Sequence, residues 1–110
     1  MKVYVGYSVP SKNTFTIFEV DAIYNEECGW YELCKPVFGR IGTSISYVEN
    51  RMLDQVEQYE WEHLNTEDKF LISLDKEKVE QFVKKGFDAK IQEYRELEAN
   101  GIQTFVYEAE

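Results

Sequence analysis

Acid–base or nucleophilic chemistry in this chain would have to begin at His63, its one histidine. Glu60-Trp61-Glu62-His63 has the Glu-x-x-His spacing that di-iron carboxylate bundles place on one helix face. Such a centre draws on two of these pairs plus two further glutamates, so a half-buried structural histidine is the expected role. A Ser–His–acid or Cys–His arrangement needs a nucleophile brought to His63 by the fold, which spacing does not show. Gly39-Arg40-Ile41-Gly42-Thr43-Ser44 has a Gly-x-x-Gly before a candidate helix N-terminus, where free N–H groups can hold an anion. It lacks the lysine and the spacing of a Walker loop and reads as a turn followed by a cap. Glu26 with Glu27, and Asp54 with Glu57, are paired carboxylates. General acid–base work needs such a pair to flank a substrate with separated pKa values, and acids on an exposed face are usually just solvated. Cys28 and Cys34, with one histidine, fall short of four zinc ligands. They are expected to be free, buried thiols in a reducing compartment. No cofactor or metal is implied, and the expectation is a protein that is not an enzyme.

What stands out instead is charge. The chain has 110 residues and a formal net charge of −9. Ile45 to Asp68 holds seven acids (Glu49, Asp54, Glu57, Glu60, Glu62, Glu67, Asp68) against the single base Arg51. The flanking stretches are near balance. A net negative chain lacks the uncompensated bases that phosphate neutralisation needs, so direct nucleic-acid binding is disfavoured. An acidic surface can instead attract a basic protein.

The elements that would position these residues follow from periodicity. Lys2 to Val9 and Thr14 to Tyr24 are rich in β-branched and aromatic residues, and Pro10-Ser11-Lys12-Asn13 between them is a turn signal, so the chain opens on a β-hairpin. In the second strand Thr16, Phe18, Val20, Ala22 and Tyr24 form the cleaner core face. Asn25 to Arg40 stays open between a short helix through Leu33 and a third strand at Trp30-Tyr31-Glu32-Leu33. Thr43 or Ser44 would cap the next element. Ile45, Val48, Met52, Val56, Tyr59 and His63 then recur at helical spacing, which predicts a helix of about five turns, apolar behind and acidic in front. Phe70 to Leu74 reads as a buried strand. Asp75 caps a second helix from near Lys76, with Val79, Phe82, Val83, Phe87, Ile91, Tyr94 and Leu97 inward, ending at Asn100-Gly101. Ile102 to Tyr107 closes as a strand. The fold class expected is α+β: one domain over 1–110, a mixed or mostly antiparallel sheet opened by a β-hairpin, with two amphipathic helices packed on it. No apolar run is long enough for a membrane span and no signal segment leads the chain, so the expected location is cytoplasmic.

On the predicted acidic helix, residues three and four apart stand about 5–6 Å from each other, comparable to phosphate spacing along DNA. Asp54, Glu57, Glu60, Trp61 and Glu62 would thus form a row able to engage Lys and Arg side chains, with Trp61 as an anchor. The short motif-free chain, its aromatic richness and the segment Asp54-Gln-Val-Glu57-Gln-Tyr-Glu60-Trp61-Glu62 resemble small acidic phage-encoded inhibitors of host defence nucleases, of the anti-CRISPR and anti-restriction kind. The resemblance implies a binding protein that occupies a basic nucleic-acid channel or a nuclease regulatory surface. Two other readings stay open. One is a small ligand-binding or enzymatic domain with a pocket near His63, Arg40 or tyrosines; the other is a subunit that oligomerises or docks through the edge of the C-terminal strand.

Overall fold

The opening hairpin forms as its composition requires. Strand β1 (Lys2–Val9) pairs antiparallel with β2 (Thr14–Asn25) in an unbroken register from Lys2 opposite Asp21 to Val9 opposite Thr14. Pro10–Lys12 makes a 3-10 turn between them, closed by Asn13 at φ 51°, a left-handed conformation that asparagine tolerates. The computed structural model describes residues 1–39, 43–59, 67–91 and 101–110. Among these, β3 (Trp30–Phe38), β4 (Ser44–Glu49), β5 (Val56–Gln58), β6 (Lys69–Ser73), α1 (Lys76–Ile91) and β7 (Gln103–Tyr107) follow in order.

The strand order is β4-β3-β2-β1-β6-β5, antiparallel throughout, and β7 adds to β2 in parallel. Long β2 serves two neighbours on one edge: Thr16–Val20 pairs with β7, and Ala22–Asn25 pairs with β3. Because β7 takes the place beside the first half of β2, β3 is free to bend away. A register shift between Glu32 and Val37 marks that bend, and the sheet curls into a half-barrel.

Several expectations are corrected here. The fold is a mostly antiparallel sheet with one α-helix among the described residues, not a sheet carrying two helices. The helix expected from Ile45 onward is instead β4, a 3-10 turn at Asn50–Met52, and β5, with Ser44 starting a strand where it was expected to cap a helix. The backbone groups of this segment find partners in distant strands: Tyr31 opposite Val48, and Val56 opposite Leu71. Ile45, Tyr47, Val48 and Val56 are β-branched or aromatic and suit a pleated surface. Asp54 sits at φ 60°, outside the right-handed helical region. The open question at Asn25 to Arg40 resolves, over its described residues 25–39, as a hairpin loop leading into β3. The Asn25 side chain accepts from the N–H groups of Glu27 and Cys28, both at 3.1 Å, and Gly29 turns at φ 74°. That loop leaves Cys28 exposed, and Cys34 on β3 is exposed too. Both thiols are free as expected, but not buried.

Where α1 packs on β1, the first half of β2 and β6, the sheet is buried on both faces. On the concave face Val3, Val5, Tyr7 and Val9 of β1 meet Phe18, Val20 and Ala22 of β2, with Val37, Val48, Phe70 and Ile72. On the other face Phe15, Ile17 and Leu71 receive Val79 and Val83 of α1, while Phe82, Phe87 and Ile91 pack at its border. Thus the expected core face of β2 holds for Thr16, Phe18, Val20 and Ala22 but not for Tyr24, which is exposed, and the alternate face carries a second core because the helix covers it. Each fully buried valine contributes roughly 1.5–3 kcal/mol. Helix α1 begins as expected: the Asp75 carboxylate accepts from the Glu77 N–H at 3.0 Å. It lies very close to β1. A methyl group on Gly6 would stand 2.7 Å from both Val79 Cγ1 and Val83 Cγ2, and one on Gly86 would stand 2.0 Å from Ser8 Oγ. Tyr94, Leu97 and Asn100 lie outside the described residues. Gly101 has φ 60°, and the helix end expected before it also lies outside the described residues.

Candidate functional site

Of the predicted acidic row only Asp54 and Glu57 lie among the described residues, and they sit on a turn and a strand rather than on one helix face. Asp54 sits at a tight turn, where its N–H donates to the Ile72 carbonyl at 2.8 Å. Its carboxylate accepts from the Ser73 hydroxyl at 2.5 Å and pairs with Lys78 at 3.6 Å. Asp54 therefore ties β6 and α1 to the turn. Glu57 lies on β5 opposite Phe70, half-buried. Glu60, Trp61 and Glu62 lie outside the described residues, as do His63 and Arg40. Asp68, counted among the surface acids, is 1% exposed and takes hydrogen bonds from the Ser11 N–H at 3.2 Å and from the Ser11 hydroxyl. It fastens the 3-10 turn after β1 to the start of β6.

A different surface unites acidity with aromatic side chains. On the outer face of β2–β3–β4, register aligns Asn25, Trp30 and Glu49 in one rung and Ile23, Glu32 and Tyr47 in the next. The alternate rung, Tyr24, Tyr31 and Val48, lies on the opposite face, where Val48 is fully buried, Tyr31 packs against the core and Tyr24 at the end of β2 is 40% exposed. The outward set is therefore fixed by the pleat. Trp30 and Tyr47 lie against each other with ring centroids 4.6 Å apart. Ile23 is 73% exposed and Tyr47 45%. Glu32 accepts from the Asn25 amide at 3.1 Å and from the Trp30 indole N–H at 3.4 Å, which orients both neighbours. Arg51 holds the Glu49 carboxyl below the usual carboxylate range through a 2.7 Å hydrogen bond. Glu26 and Glu27 project from the loop that joins β2 to β3, and with Glu32 they lack a lysine or arginine partner among the described residues. The result is an apolar centre of Ile23, Trp30 and Tyr47 inside an acidic border.

Sequence reading missed this centre because β3 was left open. The signal was the alternation of Trp30 and Glu32 against Tyr31 and Leu33, which becomes informative once β3 has partners on both sides.

A small apolar cavity of about 250 Å³ also opens inside the half-barrel, beside Tyr7, Phe18, Phe38, Tyr59 and Phe105. Tyr7 is its centre. Its ring packs edge-on against Phe18, Phe38 and Tyr59 at 5.7–6.4 Å, and its hydroxyl donates to the Phe38 carbonyl. Burial pushes the Tyr7 phenol well above the ordinary tyrosine value. This hydroxyl therefore stays a donor and ties the bent end of β3 to β1. Among the described residues no group of three or more His, Cys, Asp or Glu is placed to hold a metal ion, and no helix is long and apolar enough to cross a membrane. The chain matches no protein-family model, no curated protein and no solved structure.

Proposed function

We propose that this is a binding protein that docks a basic partner surface on the outer face of β2–β3–β4. The observation that carries the reading is the outward-facing Ile23–Trp30–Tyr47 centre, with Ile23 and Tyr47 exposed and Trp30 half-buried, bordered by Glu26, Glu27, Glu32 and Glu49. Trp and Tyr dominate interface energetics when they pack in a rigid pair, and a sheet face holds them at little conformational cost. The acidic border steers a basic partner and discriminates against acidic ones. Surfaces that normally carry nucleic acid are basic, so a nucleic-acid-processing enzyme is the partner class that fits. Blocking such a surface is the inhibitory activity toward host defence nucleases that the sequence resemblance implies.

The test is capture from a host lysate at low and high salt by wild type, by Trp30→Ala/Tyr47→Ala and by Glu26→Lys/Glu32→Lys. A nucleic-acid-processing enzyme held by wild type, released by salt and lost in both variants supports the reading. Adding DNA should then compete for the captured enzyme. Equal capture by all three proteins would remove this face from the function.

A further inference from the structure

Strand β7 is hydrogen-bonded to β2 along one edge, and among the described residues no other strand pairs with it, although the Cys34 thiol of β3 donates to the Tyr107 carbonyl at 3.5 Å and Lys35 Nζ lies 5.1 Å over the Tyr107 ring. Gln103, Thr104, Phe105 and Val106 are all exposed, Phe105 at 44% and Val106 at 48%. Edge strands of proteins that stay monomeric are normally blunted by charge, proline, a bulge or shortness. The β5 edge follows that rule, being three residues long and carrying Glu57. β7 does not. Gly101-Ile102-Gln103-Thr104-Phe105-Val106-Tyr107 holds no charged residue and no proline, in a chain of which 30% is charged. Its pairing with β2 runs without a shift from Gln103 to Tyr107.

Charge at this edge admits a second copy as the occupant. Two copies of a chain with net charge −9 repel wherever their carboxylates meet. The surroundings of β7 avoid this. Of the acids on adjacent β2, Glu19 is paired with Lys76 at 2.7 Å and Asp21 with Lys2 at 3.1 Å. The edge is thus a neutral, β-forming seam on an otherwise repulsive surface, which a second copy can approach.

We propose that two copies of the chain pair antiparallel through β7, with the two-fold axis at Phe105. Phe105 then faces Phe105 of the second copy, Thr104 faces Val106, and Gln103 faces Tyr107. Glu108 falls opposite Ile102, so no two carboxylates stand directly across from one another. This register uses all five residues of the strand and closes on itself, joining two sheets into one. The contact is small, so association is expected over roughly the 10 µM to 1 mM range. Dimerisation would also display two acidic faces at once and so add avidity toward a repetitive partner.

Sedimentation equilibrium across that range tests the proposal. The expected mass rises from 13.0 kDa toward twice that value. Val106→Glu adds a carboxylate within about 7–8 Å of its counterpart and should weaken association at least about tenfold with unchanged far-ultraviolet circular dichroism. To separate an effect on pairing from one on folding, a second experiment uses single cysteines in a Cys28→Ser/Cys34→Ser background. Under mild oxidation Phe105→Cys should cross-link to itself several-fold faster than Thr104→Cys, whose register partner is Val106. A single 13.0 kDa species throughout, or a dimer indifferent to Val106→Glu that cross-links equally at both positions, overturns the proposal.

Discussion

Replacing Gly86 with alanine is expected to weaken the fold, although alanine is the better helix former. In an exposed helix interior the exchange favours the helix by about 1 kcal/mol. Here the added methyl would lie 2.0 Å from Ser8 Oγ, 3.0 Å from Ser8 Cβ and 3.6 Å from Phe15 Cε1. The hydroxyl can rotate away. The Cβ cannot move without β1, which is hydrogen-bonded on both sides by β2 and β6, and Ser8 is 5% exposed. So the helix must lift, loosening Val79 and Val83 from the sheet. Overpacking of this kind costs roughly 1–3 kcal/mol, and the propensity gain offsets part of it, leaving a net loss near 1 kcal/mol. That corresponds to a fall of about 4 °C in Tm for a domain of this size. Urea unfolding followed by circular dichroism measures it, as a lower midpoint at constant m-value. Ser8→Gly should remove the obstacle, so that Gly86→Ala becomes neutral or stabilising in that background. If Gly86→Ala alone proves about 1 kcal/mol more stable than wild type, the close approach of α1 to β1 is refuted.

The remaining predictions concern the same framework. Gly6→Ala places a methyl 2.7 Å from two buried valine side chains and should cost roughly 1–3 kcal/mol, read from the same unfolding curves. Asp68→Ala leaves the Ser11 N–H and hydroxyl without their acceptor and should cost about 1–3 kcal/mol; Asp68→Asn, which keeps an acceptor, should cost less. The Asp21 carboxyl, held low first by the Ala109 N–H and then by Lys2, should titrate below the ordinary aspartate value of 3.8. Because its folded pKa is depressed, the stability it lends is present above that ordinary value and is lost as pH falls through the lower, folded one. The Ala109 amide proton resonance should report this midpoint, and a midpoint above 3.8 would contradict the contact.

Some of this protein was legible in its amino acids alone. The β1–β2 hairpin, the buried strand at Phe70 to Ser73, the start and inward face of α1 and a closing strand near Gln103 each rest on local patterns that distant partners reinforce. So does core membership in the segment from Ile45 to Tyr59. Ile45, Val48, Met52 and Tyr59, read as one helical stripe, do pack on the concave core, while Val56 is 53% exposed. Which residues are apolar enough to bury is a property of the side chains. What backbone conformation carries them there is not, when a spacing of three and four suits both a helix and a strand–turn–strand path. That choice belonged to β3 and β6, whose backbone groups lie far along the chain and accept β4 and β5 into their ladders. The expected row assumed that same helical geometry, and its two described members, Asp54 and Glu57, sit on a turn and on β5 instead. Asp54 became a turn residue bonded to Ser73, and the apolar, acid-bordered surface arose where the pleat of three paired strands turned Ile23, Trp30 and Tyr47 outward.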